Sequence, residues 1–262
     1  MKSLFLVIGF FTRLPVPKVE FTKERYEKAV KFMPLAGLVI GAIIVIIVFT
    51  ANLLAVPALL RGAVALAVYI FLTGGLHFDG LADTCDGVLS GRTREQSLEI
   101  MKDSRLGVFG ALGIFIAGLF YFVLFTEIHI TAILAFPVVG RACCLISASL
   151  APYAREDGMG MATARAGGPV SVASAVISIF GASVLTFPLF ILFAGPEEHS
   201  VALLAMVPLV CSLIAAAAAI VVTVCLTAAY KKRLGGVTGD TFGAVIEISS
   251  IVYLLVFTLF FA

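Results

Sequence analysis

The sequence predicts an all-α polytopic transmembrane bundle of about seven spans, forming one integral membrane domain over residues 1–262. Three observations predict it. Sixty-one per cent of the residues are apolar and 13% are charged, against about 45–50% and roughly 25% in soluble domains. The apolar residues gather in runs near the ~20 residues that a helix needs to cross the hydrocarbon. The basic residues gather between those runs, in every second connection. Such a composition excludes a disordered chain, a nucleic-acid binder and an ordinary soluble enzyme, and a net charge of +2 gives no bulk field for a polyanion.

The first ten residues are apolar, but Arg13 and the Pro15-x-Pro17 pair stop them short of a span. No small-residue cleavage site follows, so an interfacial or re-entrant N-terminal helix is expected rather than a signal peptide. Spans are expected over 32–50, 58–76, 107–126, 131–150, 170–194, 201–229 and 243–262. Sixteen of the 18 Lys and Arg lie in segments 1–31, 77–106, 151–169 and 230–242. Connections 51–57, 127–130 and 195–200 hold none, and carry Glu127, Glu197 and Glu198. The positive-inside rule then places the N-terminus and the four basic segments in the cytoplasm. Arg61 sits near the outer end of its span and can snorkel to water. Arg141 lies mid-span, where a charge costs about 2.5–3.5 kcal/mol on insertion scales. It needs a polar cavity or a partner, and functional and structural readings stand even. Glu247 raises the same question one turn into the last span, and Arg141 is its candidate partner. Of five cysteines, four lie in apolar runs and none forms a C-x-x-C, so all read as reduced thiols.

The polar stretch after the second span carries most of the chemistry. From Phe78 onward a helix would place Asp79, Asp83 and Asp86 at i, i+4 and i+7, on one face. No Lys or Arg is interspersed over 77–90 to make this an ordinary solvated face. All-oxygen ligands select a hard divalent ion, Mg²⁺ with Mn²⁺ as a substitute. His77 flanks the face, as a proton carrier or as a supporting residue. Further on, Lys102 and Arg105 can clamp phosphate oxygens, and Asp103 can join the metal or act as a base. The last basic connection, Gly235-Gly236-Val237-Thr238-Gly239-Asp240, suits a loop that wraps phosphate with backbone N–H groups, with Thr238 and Asp240 as contacts. A flexible turn capped by Asp240 fits its spacing equally. Arg13 reads as an interfacial anchor or a substrate contact.

Taken together, Phe10–Pro15, Phe32–Gly41, Asp79-Gly80-Leu81-Ala82-Asp83-Thr84-Cys85-Asp86-Gly87, Met101-Lys102-Asp103-Ser104-Arg105-Leu106-Gly107 and Gly235–Asp240 resemble the cobalamin synthase family, the adenosylcobinamide-GDP ribazoletransferases. The resemblance implies an Mg²⁺-dependent enzyme of the cell (inner) membrane, its site facing the cytoplasm, acting late in coenzyme B₁₂ biosynthesis. Its substrates would be adenosylcobinamide-GDP and α-ribazole or α-ribazole 5′-phosphate, with GMP released. Asp79, Asp83 and Asp86 would hold the metal, and Asp83 or Asp103 would serve the attacking hydroxyl. Lys102, Arg105, Arg13, His77, Thr238, Asp240, Arg141 and Glu247 are the candidate substrate contacts. Membrane lipid is the expected surround, no nucleic acid is expected, and a homo-oligomer or docking of other pathway enzymes stays open. One alternative is a membrane phosphotransferase of the CDP-alcohol type, which also uses aspartates opening with Asp-Gly. This chain has Asp83 where that pattern has Arg, and lacks its later Gly-x₃-Asp-x₃-Asp. A secondary transporter using Arg141 and Glu247 is the rival from another class.

Overall fold

The computed structural model describes residues 2–127, 129–193 and 206–261. The connection 195–200, with Glu197 and Glu198, and the first residues of the sixth expected span lie outside them. Among the described residues there are twelve α-helices and no sheet.

A short apolar helix, α1 (Lys2–Phe11), precedes α2 (Lys23–Ala29) and the first span, α3 (Met33–Leu53). Thr22 caps α2 by accepting from the Arg25 N–H, and Pro34 sits in the first turn of α3, where its missing N–H costs nothing. The further spans are α4 (Ala58–Thr73), α7 (Val108–Glu127), α8 (Ile130–Leu150), α10 (Pro169–Phe193), α11 (Met206–Leu234) and α12 (Gly239–Phe261). Six of these helices, α4 excepted, are long and apolar enough to cross a membrane alone. The sixteen-residue α4 completes a seventh only together with α5 (Leu76–Leu89), against which it is bent by 88°. The chain is therefore an integral membrane protein built as the composition predicts. The remaining short helices, α5, α6 (Arg94–Ile100) and α9 (Gly160–Arg165), fall in two of the connections that carry basic residues. These connections form the polar end of the bundle.

Helix α8 is the axis. It is buried along 89% of its spanning window and packs against α3, α10, α11 and α12. Lipid hydrocarbon offers no hydrophobic drive between helices, so close backbone packing must hold them. Gly37 and Gly41 of α3 supply it: a Cβ on Gly37 would strike the Pro137 carbonyl, and one on Gly41 the Leu134 carbonyl. Gly140 of α8 packs in the same way against Ser250 and Ile246 of α12. Because α8 is enclosed by protein, Arg141 is fully buried without meeting lipid. Gly37→Ala is expected to separate α3 from α8 and cost about 1–3 kcal/mol by overpacking. A lowered unfolding midpoint in detergent checks it.

Candidate active site

Two glycines set the position of α5. Gly74 and Gly75 both take left-handed backbone angles, φ 64° and 72°, which residues with a Cβ resist. They turn the chain out of α4 so that α5 runs across the polar end. Arg13 fixes the turn from the side: its N–H donates to the Leu72 carbonyl at 2.8 Å, and its guanidinium packs over Gly74. The exposed Arg13 lines a recess shared with Gly74, Gly75 and Asp79.

Helix α5 then crosses the start of α12 at very short range. A Cβ on Gly80 would lie 2.8 Å from the Asp240 carbonyl, and one on Gly243 3.0 Å from the His77 carbonyl. This backbone approach puts Asp79 and Asp83 beside Asp240. Thr238, not Asp240, caps α12: its hydroxyl accepts from the Thr241 N–H at 3.2 Å, and the Thr241 hydroxyl accepts from the Thr238 N–H at 2.8 Å. The Asp240 carboxylate is thereby left for another partner.

That partner is Arg155, whose Nη2 lies 2.8 Å from Asp240 Oδ2. A small bridge between two connections delivers it. The Ala154 N–H donates to Val237 O and the Val237 N–H to Pro152 O, both at 2.8 Å. Arg94 locks the bridge, donating from Nε to Leu234 O at 2.8 Å and from Nη2 to Ala154 O at 3.2 Å. Sequence reading missed both arginines as site residues, because each counts as one more positive-inside charge. No local pattern sets them apart.

The cluster carries surplus negative charge. Asp83 is half-buried, and its carboxyl is pushed up to about 7, first by burial and then by the Asp240 and Asp79 carboxylates, against the pull of Arg155. A divalent cation removes this penalty, and the donor oxygens suit a hard one. Among the described residues no three His, Cys, Asp or Glu side chains converge as a ready metal group. Mg²⁺ needs no such group, because one or two carboxylates, substrate phosphates and waters complete its shell.

The other sequence candidates are distributed differently. Asp86 is held by backbone donors. Its oxygens accept from the Gly107 and Gly110 N–H groups, each at 2.8 Å, and so satisfy the free donors at the start of α7. Asp86→Asn is expected to lower stability by about 0.5–2 kcal/mol and to spare most turnover per folded molecule. Thermal unfolding beside steady-state rates separates the two. Asp103 is apart from the cluster. Two hydrogen bonds from Arg105 Nε, both at 3.0 Å, hold it, and that guanidinium keeps its carboxyl down at about 2. Lys102, Asp103 and Arg105 line a separate recess with Arg92.

Arg141 and Glu247 are both fully buried, but the expected ion pair between them does not form. Glu247 accepts instead from the Tyr69 hydroxyl at 3.0 Å and the Tyr121 hydroxyl at 2.7 Å. Arg141 donates to the Pro137 carbonyl at 3.1 Å and lies 3.5 Å from His77 Nε2. His77 is buried at the wall of a cavity that Asp79, Asp240, Arg155 and Tyr153 also line. The cavity measures about 220 Å³, less than the roughly 300–1,000 Å³ of sites that engulf a drug-sized ligand. A large substrate must lie partly outside it.

A family model described as cobalamin-5-phosphate synthase matches residues 3–258. A curated adenosylcobinamide-GDP ribazoletransferase of Alkaliphilus oremlandii is 39% identical, over 97% of this chain and 96% of its own length. Proteins of the same name from Klebsiella pneumoniae and Acetivibrio thermocellus are 38% and 35% identical, each over 98% of its own length. No solved structure gives a significant match.

Proposed function

Because the chain belongs to the cobalamin-5-phosphate synthase family, we propose that it joins adenosylcobinamide-GDP to α-ribazole or its 5′-phosphate at the Asp79–Asp83–Asp240–Arg155 cluster. The observation that carries this reading is the Arg155–Asp240 ion pair held close enough to Asp83, which lies one helical turn from Asp79, for the charges to be felt at the polar end of a membrane bundle. A ribose ring hydroxyl of the acceptor, one that stays free when the 5′ position carries a phosphate, attacks the cobinamide-side phosphorus of the diphosphate. The bond from that phosphorus to the GMP oxygen breaks, GMP leaves, and the new phosphodiester forms. Asp83 is placed to take the hydroxyl proton, since it lies in the cluster and Asp103 does not. Arg155 and Arg13 flank the cluster and supply donors for phosphate oxygens. Asp79 and Asp83 would hold Mg²⁺, whose chemistry here is to neutralise the diphosphate and the departing phosphate. The basic segments favour the cytoplasmic face of the cell membrane. The site lies at the bundle's polar end, which weighs against a transporter, whose binding sites sit near the midplane.

The test uses purified protein in detergent with adenosylcobinamide-GDP and α-ribazole 5′-phosphate, following GMP and the corrinoid product by mass. Product is expected with Mg²⁺, none after chelation with EDTA, and full recovery when Mg²⁺ is returned. A folded, metal-replete sample that makes no product overturns the reading, and CDP-alcohol substrates become the next trial.

A further inference from the structure

The cavity beside the acidic cluster has two unlike sides. Asp79, Asp240 and Arg155 form one of them. Phe10, Phe11, Tyr26, Met33, Cys144 and Ile246 form the other. The aromatic rings gather together, with centroids 4.9 Å apart for Phe10 and Tyr26 and 6.5 Å for Phe11 and Tyr26, and Phe11 lies 5.9 Å from the His77 ring. On this side the Tyr26 hydroxyl and Thr163 Oγ1 lie 3.3 Å apart and bond to one another.

Resting on the reaction proposed above, we infer that the aromatic side of this cavity is the subsite for the planar base of the acceptor nucleoside, and that Phe11 sets its preference. Three parts of the two substrates compete for the space. A corrinoid ring is far larger than about 220 Å³. Guanine would bring an amide edge and an exocyclic amine against a mainly aromatic and aliphatic wall, and each polar group buried there without a partner is penalised. A dimethylbenzimidazole presents an apolar edge and two faces that stack on aromatic rings. Seated there, its ribose reaches toward Asp79 and Asp240, and a free ring hydroxyl of that ribose toward the phosphate to be attacked.

Two measurements on the same wild-type and variant proteins test the subsite. Binding of α-ribazole alone is read by calorimetry without turnover, and KM is measured separately for acceptor and donor. Phe11→Leu removes the ring and keeps an apolar core residue. It is expected to weaken α-ribazole binding and raise the acceptor KM about tenfold, with the donor KM within about twofold. Phe11→Tyr keeps the ring and is expected to restore both values. Wild-type binding should also favour α-ribazole over adenosine, whose amine finds no partner. Unchanged α-ribazole binding in Phe11→Leu, or a rise confined to the donor KM, overturns the subsite. A wild type that binds α-ribazole yet releases no GMP overturns the reaction instead, and the binding series still decides the subsite.

Discussion

Asp79→Asn and Asp83→Asn are each expected to reduce kcat by about 10²–10³-fold, the usual loss when one group stabilising developing charge is removed, and to leave the unfolding midpoint level or higher. The two effects have one cause. Asp83 stands among Asp79, Asp240 and Asp86, and its own burial adds to their repulsion. Neutralising one carboxyl relieves the apo-protein and weakens its hold on a cation. Sites kept for function commonly trade stability in this way. The check is steady-state turnover at saturating Mg²⁺ beside thermal unfolding in the same detergent. Midpoints that fall in step with activity would make these aspartates structural, the role expected of Asp86. The Mg²⁺ needed for half-maximal rate should rise in both variants, since each removes one oxygen donor.

Much of this site is legible in the sequence where geometry is local. The spans follow from the bilayer's thickness, and seven apolar runs become seven helices within a few residues. Asp79 and Asp83 are one helical turn apart, so any helix there presents them together. The same reasoning does not foresee the partners of Asp86. Its spacing does continue the face, but α7 docks its N-terminus against that end of α5, and two backbone donors engage the carboxylate first. Helical spacing cannot report a second helix arriving from later in the chain. The Arg141–Glu247 pairing misleads for a related reason. In a membrane interior each charged group needs a partner, and opposite charges are the obvious choice. Tyr69 and Tyr121 read as ordinary aromatic residues of apolar spans, and only the packing of α4 on α7 and of α7 on α12 brings their hydroxyls to Glu247. The last loop has partners that its composition does not announce. Thr238 caps the helix, and the loop's backbone pairs with residues 152–154.

Arg155 is the residue that sequence reading passes over and geometry brings forward, and its replacement should act on metal and substrate with opposite signs. Arg155→Ala leaves Asp240 facing Asp79 without its counter-ion. The pair is only partly shielded, at 13% and 22% exposure, so the loss of stability should be about 1–3 kcal/mol, less than the 3–5 kcal/mol of a fully buried pair. Removing a positive charge deepens the negative potential of the cluster. At ~4 Å in water one unit charge is worth about 1 kcal/mol, so the Mg²⁺ needed for half-maximal rate should fall about fivefold. Turnover should fall as well, by about 10²-fold, because a donor to the phosphate oxygens is gone. Arg155→Lys keeps the charge but loses the planar fork. It should restore the wild-type Mg²⁺ requirement and recover only part of the rate. Asp240→Asn with Arg155→Ala closes a double-mutant cycle, and the combined stability loss should be well below the sum of the two. If Arg155→Ala instead raised the Mg²⁺ requirement, the arginine would be ordering the metal ligands rather than opposing the metal's charge. Its place would then be with Arg94, as a brace of the two connections.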